Sequence, residues 1–182
     1  MIQGGIMIHS FKIPLALVLM LTLPLTAPAR LEETEKESEA RYGKPVEDKY
    51  PTLEGATNRT YNYKGWRIRA GFLNGKTVRI VYSKLTSPEA SSIISNDEGL
   101  AILEGEKGGG QWKARSTASS NPTATLENTL KYTSAWTNTA GSVAYFDMVR
   151  QHMTLETPDA EAFRKKLAEE KLKQQKAKIP KF

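Results

Sequence analysis

Cysteine is absent from all 182 residues. That excludes disulfides, thiol nucleophiles, thiolate zinc sites and a lipid-bearing cysteine near the N-terminus. Histidine is almost as scarce, with two residues, His9 and His152. A body with one imidazole and no thiol retains only all-oxygen metal chemistry, and no calcium-loop spacing is present. No metal site, cofactor or catalytic residue is expected. A membrane-length apolar run is missing as well. The run from Ile13 to Leu25 is broken by Pro14, Thr22 and Pro24. It falls short of the ~20 apolar residues a spanning helix needs.

That short run has another use. Lys12 precedes it and Ala27-Pro28-Ala29 follows it. A basic flank, a short apolar core and an A-x-A site are the parts of a secretory signal peptide. Residues 1–29 are expected to be that leader, with Met1 or Met7 as the start, cleavage after Ala29 and an exported protein. No transmembrane segment would then remain. The rest of the chain must be held by its own core, which residues 30–182 are long enough to build.

Charge is laid out in blocks. The chain carries 26 Lys+Arg against 20 Asp+Glu. Residues 30–58 and 85–157 are each net acidic. Residues 59–84 hold seven cations and no acid, and 158–182 are again basic. Two positive blocks thus stand in an otherwise acidic body.

The local signals divide the chain into residues 30–84, a helix with a three-stranded meander; 85–157, a helix with a second meander; and 158–182, a C-terminal helix and basic tail. Thr34 and Glu37 form a capping box, and Gly43 and Pro45 stop the helix. Ser87-Pro88-Glu89 predicts a helix start that includes Ile93 and Ile94 and restarts at Asn96-Asp97. Residues 115–127 read as a loop, and three strands follow. Thr157-Pro158-Asp159 opens the last helix, which should fray beyond Leu172. The class is α+β, with short helices packed on antiparallel β-meanders and Trp66 and Trp136 hinting at a degenerate tandem repeat.

Asn74-Gly75 is the strongest hairpin signal. A three-residue loop of Leu73-Asn74-Gly75 would set Ala70 opposite Val78, Ile68 opposite Ile80 and Trp66 opposite Tyr82. One apolar face results, so burial favours that register. The reverse face then carries Arg67, Arg69 and Arg79, with Arg69 against Arg79. Such a like-charge pair costs on the order of 0.2–1 kcal/mol unless neutralised.

Gly43-Lys44-Pro45, Tyr61, Tyr63, Phe72 and Asn74-Gly75-Lys76 together resemble the small helix-plus-meander domains of bacterial envelopes. The outer-membrane assembly lipoprotein family and the β-lactamase-inhibitor-like proteins share that layout. The hairpin with the Gly108–Trp112 ending is also similar to uncharacterised secreted bacterial proteins. The match covers the first third of residues 30–182 well and the rest loosely, and it departs from the lipoproteins in lacking the anchoring cysteine. The resemblance implies protein binding rather than catalysis.

Function classes then separate. Arg67, Arg69 and Arg79 form the candidate binding face, because a guanidinium fork suits carboxylate or phosphate. An anionic protein or envelope polymer is the expected partner. The opposing possibility is that the acidic segments fold over this face and pair with it. Nucleic acid is not expected, since the aromatics lie on the opposite, buried face. The alternatives are a small exported hydrolase working through carboxylates and an extracytoplasmic polyanion binder. His152 shares its strand face with Arg150, Thr154 and Glu156 and has no orienting partner in sequence, so it reads as solvated.

Overall fold

The computed structural model describes residues 31–86, 91–108, 110–115 and 135–178. The leader expectation, the helix start at Ser87-Pro88-Glu89 and most of the 115–127 loop lie outside these residues.

The chain begins with α1 (Glu35–Tyr42), whose capping box forms as the sequence implies. Thr34 Oγ1 accepts from the Glu37 N–H at 3.3 Å and the Glu37 carboxylate accepts from the Thr34 N–H at 2.8 Å. Gly43 ends the helix at φ +88°, a left-handed conformation natural to glycine. The first meander follows as β1 (Thr57–Tyr63), β2 (Trp66–Leu73) and β3 (Lys76–Lys84). Then come α2 (Asn96–Gly105), β4 (Trp112–Ala114), β5 (Ala135–Asn138), β6 (Val143–Asp147), β7 (His152–Glu156) and α3 (Pro158–Ala177).

All seven strands join one antiparallel sheet in the order β1-β2-β3-β7-β6-β5-β4. The α+β class with short helices on antiparallel meanders is therefore shown. The two meanders meet where β3 pairs with β7. Among the described residues no helix is long and apolar enough to cross a membrane.

One sheet face is apolar. Tyr61, Ile68, Ala70, Phe72, Ile80, Tyr82, Trp136, Ala144, Phe146, Met153 and Leu155 build a continuous core there with Tyr42 of α1 and with Ile102 and Leu103 of α2. The period-2 alternation of those residues is what directs them to a common side. The other face is polar. α3 and residues 53–56 cover one part of it, with Leu53, Val78 and Ala160 as a second small core against Ala56, Leu73 and Phe163.

Three expectations are corrected. First, Ile93 and Ile94 are not helical; α2 begins after Ser95, whose capping box with Glu98 fixes the start. Second, the second meander has four strands rather than three, because Trp112–Ala114 forms β4 and pairs with Trp136–Asn138. Third, α3 continues through Ala177 rather than fraying at Leu172. Lysine, glutamine and alanine there are good helix formers, and propagation of an existing helix is cheap.

The register of the β2–β3 ribbon also differs. Asn74 and Gly75 both have positive φ, +50° and +76°, so they form a two-residue turn. Leu73 pairs with Lys76 and Phe72 with Thr77. The ladder then shifts between Gly71 and Phe72, and Val78 becomes the extra residue. Ala70 faces Ile80, Ile68 faces Tyr82 and Trp66 faces Lys84. The extra residue sits in β3, not in the loop on the β2 side, so the pairing moves by two positions. Parity survives that slide, and the apolar face stays whole. Burial of Val78 against Leu53 and Ala160 accounts for the site of the bulge.

Candidate anion-docking face

Strand register places the arginines. One row across the polar face runs Thr60, Arg69, Val81, Thr154, Tyr145. The next runs Asn58, Gly71, Arg79, Glu156, Val143. On the other side of the Arg69 row, Arg67 pairs with Ser83, and His152 with Asp147. Arg67, Arg69 and Arg79 therefore share one face, as the alternation predicts. Arg69 does not oppose Arg79: it faces Val81, and Arg79 faces Gly71. The bulge turns a direct like-charge pair into a diagonal one, which relieves part of its cost.

The three guanidinium groups have different environments. Arg67 is exposed. Arg69 is half-buried, with its Nε enclosed and unbonded among the described residues. Arg79 is the most enclosed. Its Nη1 donates to Oε1 of Glu156, the residue directly opposite on β7. Oε2 of the same carboxylate accepts from Arg164 Nη2 of α3 at 2.5 Å. The Glu156 side chain is 2% exposed, so this is a buried carboxylate held between a strand cation and a helix cation.

Electrostatic influence ties these groups together. Burial pulls the Arg79 pKa down, Glu156 supports it, and the charges of Arg164 and then Arg69 depress it further. Two guanidinium groups thus share one carboxylate with the charge of Arg69 nearby, and the cluster keeps an excess of positive charge. His152 lies at its edge. Burial holds the imidazole pKa below its ordinary value, the Arg69 charge lowers it again, and Asp147 opposes with Arg150 acting against it. Asp147 is itself committed to Arg150, accepting from its N–H at 2.9 Å and its Nη1 at 3.1 Å.

The sequence expectation that acidic segments pair with the basic face is met at Arg79, through Glu156. Arg59 and Lys84 lie on the opposite face and pair there, Arg59 Nη2 2.9 Å from Glu35 and Lys84 Nζ 2.7 Å from Glu98. Among the described residues no carboxylate lies within ion-pair distance of Arg67 or Arg69. Sequence reasoning missed Arg164 and Tyr145. Nothing in a helix with so thin an apolar side tells which cation turns to the sheet. Tyr145 was legible in principle, since it alternates with the buried Ala144 and Phe146.

No family model matches the chain, and no curated protein matches it. Among solved structures it is similar to a cysteine-rich secretory protein from Staphylococcus aureus subsp. aureus Mu50, at 12% identity and a TM-score of 0.32. The match covers 72% of this chain and 49% of that one, so the chain spans about half the length of that protein.

Chemically, the face offers guanidinium donors with the hydroxyls of Thr60, Thr154 and Tyr145 in the Arg69 row. The described residues contain no cluster of three His, Asp or Glu that would hold a metal ion. Asn58, which begins a glycosylation sequon, has its amide engaged: Nδ2 donates to the carbonyls of Leu53 at 2.9 Å and Ala56 at 2.8 Å. That asparagine serves as a clasp for the 53–58 turn.

Proposed function

We propose that this protein is an exported, non-enzymatic binding module that docks an anionic protein or envelope polymer on its polar sheet face. The observation that supports this is that Arg79 and Arg164 share the buried carboxylate of Glu156 while Arg69, whose charge acts on Arg79, and the exposed Arg67 have no carboxylate partner among the described residues. Glu156 satisfies the two guanidinium groups that need it structurally. Arg67 and Arg69 remain for a partner, with Thr154 and Tyr145 in the same row as neutral hydrogen-bonding neighbours. Bidentate contacts from arginine to carboxylate or phosphate are the strong class of charge-assisted hydrogen bond. An open sheet face suits an extended partner better than a small enclosed substrate. The resemblance to envelope helix-plus-meander domains points the same way.

Anisotropy titration with a fluorescent poly-glutamate peptide at low and moderate salt tests the reading. The expected result is saturable, salt-sensitive binding, weakened about tenfold or more by Arg69→Glu and unchanged by Lys166→Glu on α3. Equal loss in both variants, or no binding at all, overturns it.

A further inference from the structure

The end of the sheet that carries the β6–β7 turn presents apolar side chains to solvent. Val149 is 94% exposed, Ile93 62% and Met148 58%. They come from two separate segments that one side chain links. Gln151 Oε1 accepts from the Ile94 N–H at 3.0 Å, and its Nε2 donates to the Met148 carbonyl at 2.6 Å. The turn is also held from within, because Asp147 Oδ1 accepts from the N–H groups of Val149 at 3.0 Å and Arg150 at 2.9 Å. The tip is therefore a fixed projection, and its apolar groups stay out of the core.

Cations ring the same end. The register brings the β1–β2 turn at Lys64-Gly65 and the end of β3 to the side where β6 gives way to β7. Lys64, Arg67 and Arg150 are exposed there. Arg150 is matched by Asp147 and Lys84 by Glu98. Lys64 and Arg67 have no carboxylate within ion-pair distance among the described residues.

We infer that this tip is a peripheral contact for an anionic lipid surface. Projecting apolar side chains flanked by unmatched cations meet the two demands of a lipid interface, insertion at the headgroup level and attraction to negative charge. A convex tip has no wall against which a rigid partner packs, whereas a bilayer accommodates the projection without a matching cavity. The inference shares the exposed Arg67 with the reading of the arginine cluster and is otherwise separate from it. It concerns Ile93, Met148 and Val149, and Arg69 has no part in it.

The absence of native cysteine makes the test direct. Val149→Cys and Asn74→Cys, the second at the opposite end of the sheet, are labelled in the full chain with an environment-sensitive fluorophore. Each is titrated with phosphatidylcholine vesicles, with and without phosphatidylglycerol. The expected result is a blue shift for the Val149 label on anionic vesicles and none for the Asn74 label. Apparent partitioning should be about tenfold weaker on neutral vesicles. Adding Ile93→Asp and Met148→Asp should abolish the shift. An unshifted Val149 label, or equal shifts at both positions, overturns the inference, the second by showing that lipid contact is not specific to the tip. A shift produced by a protein extract and not by vesicles also overturns it.

Discussion

Arg79 and Glu156 form an ion pair across the seam where the two meanders meet, in direct register on β3 and β7. The pair does two jobs. It neutralises a guanidinium that the bulge at Val78 and the cover of α3 have partly enclosed. It also gives Arg164 an acceptor, which ties α3 back onto the sheet. Glu156→Gln should therefore cost about 3 kcal/mol, because it leaves two cations beside each other without their counter-charge. Arg164→Ala should cost under about 1 kcal/mol, since that side chain is 44% exposed and solvent screens its pair. Urea unfolding checks both. The same Glu156→Gln protein, if still folded, should bind poly-glutamate more tightly than wild type.

What the sequence made legible here was local. The cap at Thr34, the Asn74-Gly75 turn and the inward set of β2 and β3 all follow from residues within a few positions of each other. Parity of the ribbon was readable because one slip would have turned every apolar side chain outward. Its register was not, because the deciding residue, Val78, owes its bulge to Leu53 and Ala160, which are distant in sequence. The same holds for the site. That Arg67, Arg69 and Arg79 share a face follows from strand periodicity. That Arg79 is held by Glu156 and Arg164 depends on β3 lying beside β7, and only the assembled sheet supplies that neighbour.

Gly71 gives a packing test. A Cβ built on it would lie 2.9 Å from Leu53 Cβ and 3.6 Å from Asn58 Oδ1. The turn that Asn58 clasps rests directly on this bare backbone position. Gly71→Ala should destabilise the protein by about 1–3 kcal/mol through overpacking. The double variant Gly71→Ala/Leu53→Gly should lose less than the sum of its two single changes, since the clash is with the Leu53 Cβ and only glycine removes that atom. Strict additivity in urea denaturation would show that the close approach carries no strain.

His152 predicts the direction of a pH effect. Burial, and after it the charge of Arg69, hold the folded imidazole below its ordinary 6.5, with Arg150 adding to this and Asp147 opposing it. The unfolded chain therefore takes up its proton at a higher pH than the folded protein does. Stability should decline as pH falls from about 6.5 toward the lowered folded value, and be unaffected by this group above that range. His152→Gln should flatten that part of the profile. Arg69→Glu should raise the imidazole pKa, as read by proton NMR, because it replaces a repelling charge with an attracting one. An unchanged titration in Arg69→Glu would mean that the two side chains do not sense each other.

Arg67 and Arg79 separate docking from architecture on one face. Arg67 is exposed and has no carboxylate partner among the described residues, so Arg67→Ala should change stability by less than about 0.5 kcal/mol. Arg79 is mostly enclosed and bonded to a carboxylate that is 2% exposed. Arg79→Ala should cost about 3 kcal/mol, because Glu156 then keeps only the more exposed Arg164. Binding should show the reverse order. Arg67→Ala removes a free donor and should weaken poly-glutamate several-fold with the fold intact. Arg79→Ala, compared at a temperature where it remains folded, removes a charge already answered within the protein and should weaken binding less. If Arg79→Ala abolishes binding while Arg67→Ala leaves it untouched, the ion pair with Glu156 opens for the partner, and the cations that dock it are those of the seam.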